Sequence, residues 1–165
     1  MSGLPATGKT TIARALAREI GAVHLRIDTI EQAVVRAGGS HPVGPVGYVI
    51  ACALAGDFAA QGLTVVADSV NPVRWSREAW WDVARGAAVA HLDVEVVCSD
   101  PAAHEHRATT RVSDIAGLPL PAWSDIRRRE YEPWDCDRLV VDTARRSIAE
   151  CVTQVRSAVR VSTTP

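Results

Sequence analysis

Lysine is all but missing from this chain. Of its 18 basic side chains, Lys9 is the only lysine and the other seventeen are arginines. Cysteine is sparse and scattered: Cys52, Cys98, Cys136 and Cys151 form no C-x-x-C pair and no Cys/His spacing suited to structural zinc. They read as the reduced thiols of a cytoplasmic protein. Long hydrophobic runs are also lacking. The longest apolar stretch, Tyr48 to Ala60, is interrupted by Gly56 and Asp57 and is too short to span a bilayer. The net charge is only −1, which excludes a global pull towards nucleic acid or an anionic membrane. What remains is ordinary for a globular chain: 165 residues, 47% hydrophobic and 22% charged, enough to bury a core as one domain spanning 1–165. No leader fits ahead of a motif that begins at residue three, so the expected location is the cytoplasm.

The lone lysine sits in Gly3-Leu4-Pro5-Ala6-Thr7-Gly8-Lys9-Thr10, which matches G-x-x-x-x-G-K-[ST] at every fixed position. A phosphate-binding loop needs a compact ammonium that reaches between the β- and γ-phosphates, and a planar guanidinium is too wide for that place. The glycines let successive N–H groups curl inward around the anion. The helix starting near Lys9 adds the positive end of its dipole, and the Thr10 hydroxyl can ligate Mg²⁺. Gly3 to Thr11 are therefore the expected cradle of ATP, with the Lys9 ammonium solvated when no nucleotide is bound. In this motif's usual setting a buried strand runs into the first glycine. Here only Met1 and Ser2 precede Gly3, so the central strand is expected to be missing and the natural start to lie upstream.

Short β-branched runs alternate with amphipathic helices, the pattern of a parallel α/β sheet flanked by helices. Strands are expected at 23–27, 64–67, 94–98 and 139–141. Helices are expected at 9–20, 29–37, 46–61, 73–85, 102–112, 124–132 and 147–161. Two strands run into aspartates, Asp28 and Asp68, and ligands collect at the carboxyl ends of parallel strands. One of these acids could accept the proton of an acceptor hydroxyl while the other holds Mg²⁺ or its waters. Asp28 could alternatively cap a helix. Arg107 and Arg111, four apart, are expected on one face of the helix over 102–112, leading into a Gly/Pro-rich lid (about 107–123). There they would neutralise a migrating phosphoryl group, or else pair with Glu105 or Asp114 in solvent. His104 and His106 read as exposed helix residues. Arg74 and Arg77 could point into the crevice or cover the sheet edge.

The phosphate loop, Asp28, the stretch Asp68-Ser69-Val70-Asn71-Pro72 and the arginine-bearing lid helix together resemble the P-loop kinases of the nucleotide and small-molecule kinase group. The chain is most similar to the bacterial predicted kinases called AAA-domain ATP-binding proteins. It is similar, more distantly, to chloramphenicol phosphotransferase, gluconate kinase and the kinase domain of phage polynucleotide kinase. The resemblance implies an ATP- and Mg²⁺-dependent phosphotransferase acting on a hydroxyl of a small molecule. It makes Lys9 the phosphate clamp, Thr10 the metal ligand, Asp28 the base, and Asp68 the acid that orders the metal's water or the acceptor pocket. Arg107 and Arg111 become lid arginines, and Asp142 and Thr143 lie near the adenine. Polynucleotide kinases carry an arginine three residues after the base. Glu31 stands there in this chain, which argues against a nucleic-acid end and for a less anionic acceptor. A polynucleotide 5′-hydroxyl kinase and a nucleotide-binding regulatory module are the alternatives. A monomer or homodimer without membrane contact is expected.

Overall fold

The computed structural model describes residues 1–162, with side chains through Val159; residues 163–165 lie outside the described residues. After the phosphate loop come α1 (Lys9–Ile20), β1 (Val23–Arg26), α2 (Ile27–Arg36), α3 (Val46–Ala60), β2 (Val65–Asp68) and α4 (Arg74–Gly86). They are followed by β3 (Val94–Val97), α5 (Pro101–Thr110), α6 (Trp123–Arg128), β4 (Leu139–Asp142) and α7 (Ile148–Ser162). Helix α1 starts from a left-handed Gly8 and stops at a left-handed Gly21, and it turns Ile12, Ala13, Leu16 and Ala17 inward. Helix α5 is fixed at its start by Asp100, whose carboxylate accepts from the Ala102 and Ala103 N–H groups, with Pro101 in the first turn.

All strand pairs are parallel. β1 pairs with β2, Val23 opposite Val65, and β3 pairs with β4, Val94 opposite Leu139. The two halves are joined by Met1, Ser2 and Gly3. On one side the Met1 ammonium donates to Ala67 O at 2.7 Å, Ser69 N–H to Met1 O at 3.2 Å and Gly3 N–H to Val70 O at 3.2 Å. On the other, Ser2 N–H donates to Val94 O at 2.7 Å and Val96 N–H to Ser2 O at 2.8 Å. The expected gap at the sheet centre is thus bridged by a stub of the central strand, in the order β1–β2–stub–β3–β4. One face is covered by α1 and α7, whose Ile12, Leu16, Cys151, Val152 and Val155 pack on Val66, Val94, Val96 and Val141. Helices α3 and α4 pack together over the other face.

Several boundaries differ from expectation, each for a local reason. Strand β1 stops at Arg26, and Ile27 and Asp28 already belong to α2, so Asp28 is a first-turn helix residue. Helix α5 stops at Thr110, because Arg111 turns to an extended ψ of 145°. Helix α6 ends at Arg128 rather than at Glu132. The Glu132 N–H, which a longer helix would give to Arg128 O, donates to Pro72 O at 2.8 Å, and Arg77, 2% exposed, takes the carbonyls of Glu132 and Pro133. Arg77 also donates to Asn71 O and stacks over Trp134, while Arg74 lies on the surface with Glu78 and Asp135. Neither arginine enters the crevice.

Asn71 locks the stub in place. It holds a left-handed φ of 49°, and its Nδ2 donates to Ser2 Oγ at 2.8 Å. Its Oδ1 accepts from Ser69 Oγ at 2.7 Å and Trp80 Nε1 at 3.0 Å. Asn71→Ala removes all three partners in a buried setting, so a loss of about 2–4 kcal/mol is expected in urea unfolding. A loss below about 0.5 kcal/mol, the scatter of an ordinary surface change, would show that the network does not hold the stub.

Candidate active site

The loop between the stub and α1 is shaped by close approach. Gly3 has a φ of +142°, and a Cβ added there would lie 2.2 Å from the Val96 carbonyl oxygen, so no larger residue fits. Ala6, at φ +66°, holds a conformation uncommon for a residue with a side chain. Such a turn persists where neighbours over-determine it, and three braces do so here. Thr7 Oγ1 donates to Leu4 O at 3.0 Å. Thr143 Oγ1 donates to Thr7 O at 2.8 Å. The His104 ring donates from Nε2 to Pro5 O at 2.8 Å.

At the loop's end the Lys9 ammonium is buried, 8% exposed, rather than solvated, because Asp68 is there to meet it. Lys9 Nζ lies 3.2 Å from Asp68 Oδ1, and His24 Nε2 lies 3.2 Å from Oδ2. Burial pushes the Asp68 carboxyl up, but the hydrogen bond from His24, the Lys9 charge and the adjoining Thr10 hydroxyl outweigh it. They hold it well below the usual carboxylate range. Oδ1 itself is buried beside the Lys9 charge and takes no hydrogen bond. One carboxylate oxygen lacking a donor beside the Thr10 hydroxyl fits Mg²⁺, which is usually held by one or two protein oxygens plus phosphate and water.

A second cluster lies at the ends of β1 and α5. Asp28, with a half-exposed carboxylate, is 3.5 Å from Arg26 Nη2. Arg26 Nη1 donates to Asp114 Oδ1 at 2.7 Å, and Arg14 also binds Asp114. Hydrogen bonds from Arg14 and Arg26 lower the Asp114 carboxyl to about 2, against a small upward push from burial. Arg36 donates to the Ala116 carbonyl. The lid segment after α5 is thereby tied to α1, β1 and α2. Burial, and secondarily Arg26, lower the Arg111 pKa, while Asp28 raises it. Arg111 Nε is buried without a partner. Glu31 is half-buried against Gly47, where an added Cβ would meet Glu31 Cγ at 2.5 Å. Burial and the neighbouring Asp28 raise its carboxyl, and Arg129 opposes them.

The structure therefore gathers Lys9, Thr10 and Asp68 at one point and Asp28, Glu31 and Arg111 at another. Arg107 and Arg111 lie one turn apart at the end of α5, where the Arg111 N–H donates to Arg107 O at 3.2 Å, but their guanidinium groups have different surroundings. Arg107 reaches across to Thr143, donating from Nη1 to Oγ1 at 2.7 Å and from Nη2 to the carbonyl at 2.9 Å. Thr143 is 2% exposed and works as a brace of the loop, with no surface to offer an adenine. Asp142 is likewise turned to the protein: it accepts from Ser99 N–H and Ala144 N–H, both at 3.0 Å. His104 is buried and T-stacked on Trp123 rather than exposed. Its only sequence signal is a histidine on the apolar side of a helix, which does not announce a partner 99 residues away.

A protein family described as an AAA domain matches residues 1–133. Among solved structures the fold is that of P-loop kinases. A protein of Chloroflexus aurantiacus j-10-fl, provisionally assigned as a kinase, is 23% identical with a TM-score of 0.76, over 98% of this chain and 94% of that one. The APS kinase CysC of Mycobacterium tuberculosis, in complex with AMPPNP and APS, is 17% identical with a TM-score of 0.71, over 96% of this chain and 94% of that one. A gluconokinase from Sinorhizobium meliloti 1021 is 16% identical with a TM-score of 0.62, over 98% of this chain and 90% of that one. No curated protein matches the chain.

The Asp68 network carries a pH signature. A carboxyl whose folded pKa is depressed contributes stability that is fully present above its unfolded pKa and lost as pH falls through the folded value. Asp68→Asn leaves Lys9 buried without a counter-charge and should cost about 3–5 kcal/mol near pH 7. The difference from the parent should shrink below about pH 4. Urea unfolding of both proteins from pH 7 down to pH 2 reads it. A difference that stays constant to pH 2 would contradict an ionised, buried Asp68.

Proposed function

The chain belongs to that AAA-domain family, and we propose that it is an ATP-dependent phosphotransferase moving the γ-phosphoryl group to a hydroxyl of a small molecule. The observation that supports this best is the complete phosphate loop with Lys9 drawn against Asp68 and a separate acid, Asp28, beside Arg111. The first group suits a nucleoside triphosphate, and the second suits a hydroxyl acceptor and the charge that develops during transfer.

In this reading the loop N–H groups and the start of α1 take the phosphates, and Lys9 leaves Asp68 to meet the β- and γ-oxygens. Thr10 and Asp68 would hold Mg²⁺, which neutralises phosphate charge when bound. Asp28 orients the acceptor hydroxyl and accepts its proton as the oxygen attacks phosphorus. Arg111, facing Asp28, stabilises the negative charge on the migrating group. Arg107 acts through Thr143 on the shape of the loop and is a positioning residue. Glu31 presents a carboxylate where an acceptor would lie, which favours a neutral or amino-bearing small molecule over an anionic nucleic-acid end.

ADP release with MgATP and a panel of sugars, nucleosides and aminoglycosides tests the reaction. Asp28→Asn should lower turnover by roughly two to four orders of magnitude with ATP affinity little changed. Unchanged turnover removes Asp28 as the base. Lys9→Ala should abolish the rise in melting temperature that MgATP gives the parent, each variant being compared with its own ligand-free form. A full rise in that variant would refute the phosphate-loop site.

The two arginines should separate. Arg111→Ala should cost on the order of 10²–10³ in rate with little loss of ADP affinity. Arg107→Ala should lower the melting temperature and weaken ADP binding together. Identical behaviour of the two variants would overturn the division of roles.

A further inference from the structure

Helix α2 carries one buried polar side chain that the phosphotransferase reading leaves unused. Gln32 is 6% exposed and, among the described residues, its carboxamide has no hydrogen-bond partner. Neither amide atom is sealed from solvent, so the carboxamide lies at the bottom of a narrow opening. Asp28, Gln32 and Arg36 recur at intervals of four and share one stripe of the helix. Arg36, at the far end, holds the lid segment through the Ala116 carbonyl. The lid then crosses Gln32 at Gly117, which has a left-handed φ of 77°. A Cβ added to Gly117 would lie 3.3 Å from Gln32 Nε2, so the roof over the amide is bare backbone. At the near end stands Asp28, with its half-exposed carboxylate. Burying a carboxamide without partners costs stability, and an apolar side chain of the same shape fills the space without that cost. Gln32 is therefore poised for a group that the free protein does not supply.

We propose that Gln32 reads a second hydroxyl of the acceptor, and that the acceptor is a cyclic polyol. The inference rests on the phosphotransferase reading, with Asp28 as the group that meets the attacking hydroxyl. A carboxamide donates from its nitrogen and accepts at its oxygen. A hydroxyl also does both, whereas an ionised carboxylate only accepts and an ammonium only donates. A hydroxyl thus satisfies the carboxamide without bringing a charge into a buried place. Side chains four apart on a helix start about 5–6 Å from one another, which suits hydroxyls on opposite sides of a six-membered ring. An acceptor whose attacked hydroxyl sits at Asp28 then places a further hydroxyl at Gln32. An acceptor with a single hydroxyl leaves the carboxamide unpaired under the lid. A site built to hydrogen-bond a substrate hydroxyl rejects the analogue that lacks it, which makes Gln32 a specificity-determining residue.

The test follows the side-chain amide signals of Gln32 by nitrogen-15 NMR in the full chain, assigned by their loss in Gln32→Met. Myo-inositol, glucose and glucosamine are titrated in the presence of MgADP, with cyclohexanol as the ring bearing one hydroxyl. The expected result is saturable movement of the Gln32 signals with at least one polyol and none with cyclohexanol at the same concentration. In Gln32→Met the affinity for that polyol should fall by at least about 10-fold, with ADP affinity unchanged. Without ligand, the melting temperature of Gln32→Met should equal or exceed that of the parent. A fall of more than about 4 °C would make Gln32 a structural tie and overturn the proposal. Static signals with all three polyols, or equal movement with cyclohexanol, overturn it as well. ADP release reads the reaction separately. Polyol-dependent release with static Gln32 signals overturns this inference and leaves the transferase reading standing. Moved signals without transfer to any bound polyol uphold Gln32 as a polyol contact and count against the transferase reading.

Discussion

Everything in this fold hangs on a parallel ladder only three residues long. Met1, Ser2 and Gly3 bond to β2 and β3 on both sides, and without them the sheet is two separate pairs of strands. The same three residues deliver the chain into the phosphate loop, so sheet continuity and loop geometry are one constraint. Asn71 ties the arrangement to α4, and Gly3 is forced by the approach of Val96 O. Strand pairs of this kind are marginal alone; here helices covering both faces supply the burial that keeps the short ladder in register.

Around that ladder, polar side chains hold the site in shape from distant parts of the sequence. His104 from α5 and Thr143 from the end of β4 grip the Pro5 and Thr7 carbonyls on either side of Ala6, and Arg107 grips Thr143. The carbonyls of Leu4, Pro5 and Thr7 are all engaged within the protein, which fixes the turn of the loop. Asp68 has a different place. It gathers Lys9, His24 and Thr10 around one carboxylate, so charge is balanced in the absence of phosphate.

The sequence was most readable where chemistry is written into backbone geometry. The phosphate loop, the burial face of α1 and the parallel alternation were legible because glycine spacing and period carry them. Asp68 was legible as a strand-end acid. Element ends were harder, because tertiary partners set them: the Glu132 N–H goes to Pro72 O, and α6 stops short. Arg107 and Arg111 do lie one turn apart, but their spacing could not tell that Thr143 claims the Arg107 guanidinium. The brace by His104, and the use of Asp142 and Thr143 as structural ties, depend on contacts between segments 36 to 136 residues apart in the chain. No local pattern encodes those.

The near-absence of lysine has a practical side. Amine-directed reagents meet only two candidate nitrogens here, the Lys9 side chain and the α-amine of Met1, and both are buried against carboxylate or carbonyl oxygens. Only one of the two is a side chain, so an adduct mapped by peptide mass to Lys9 reads the phosphate loop alone, apart from the α-amine of Met1.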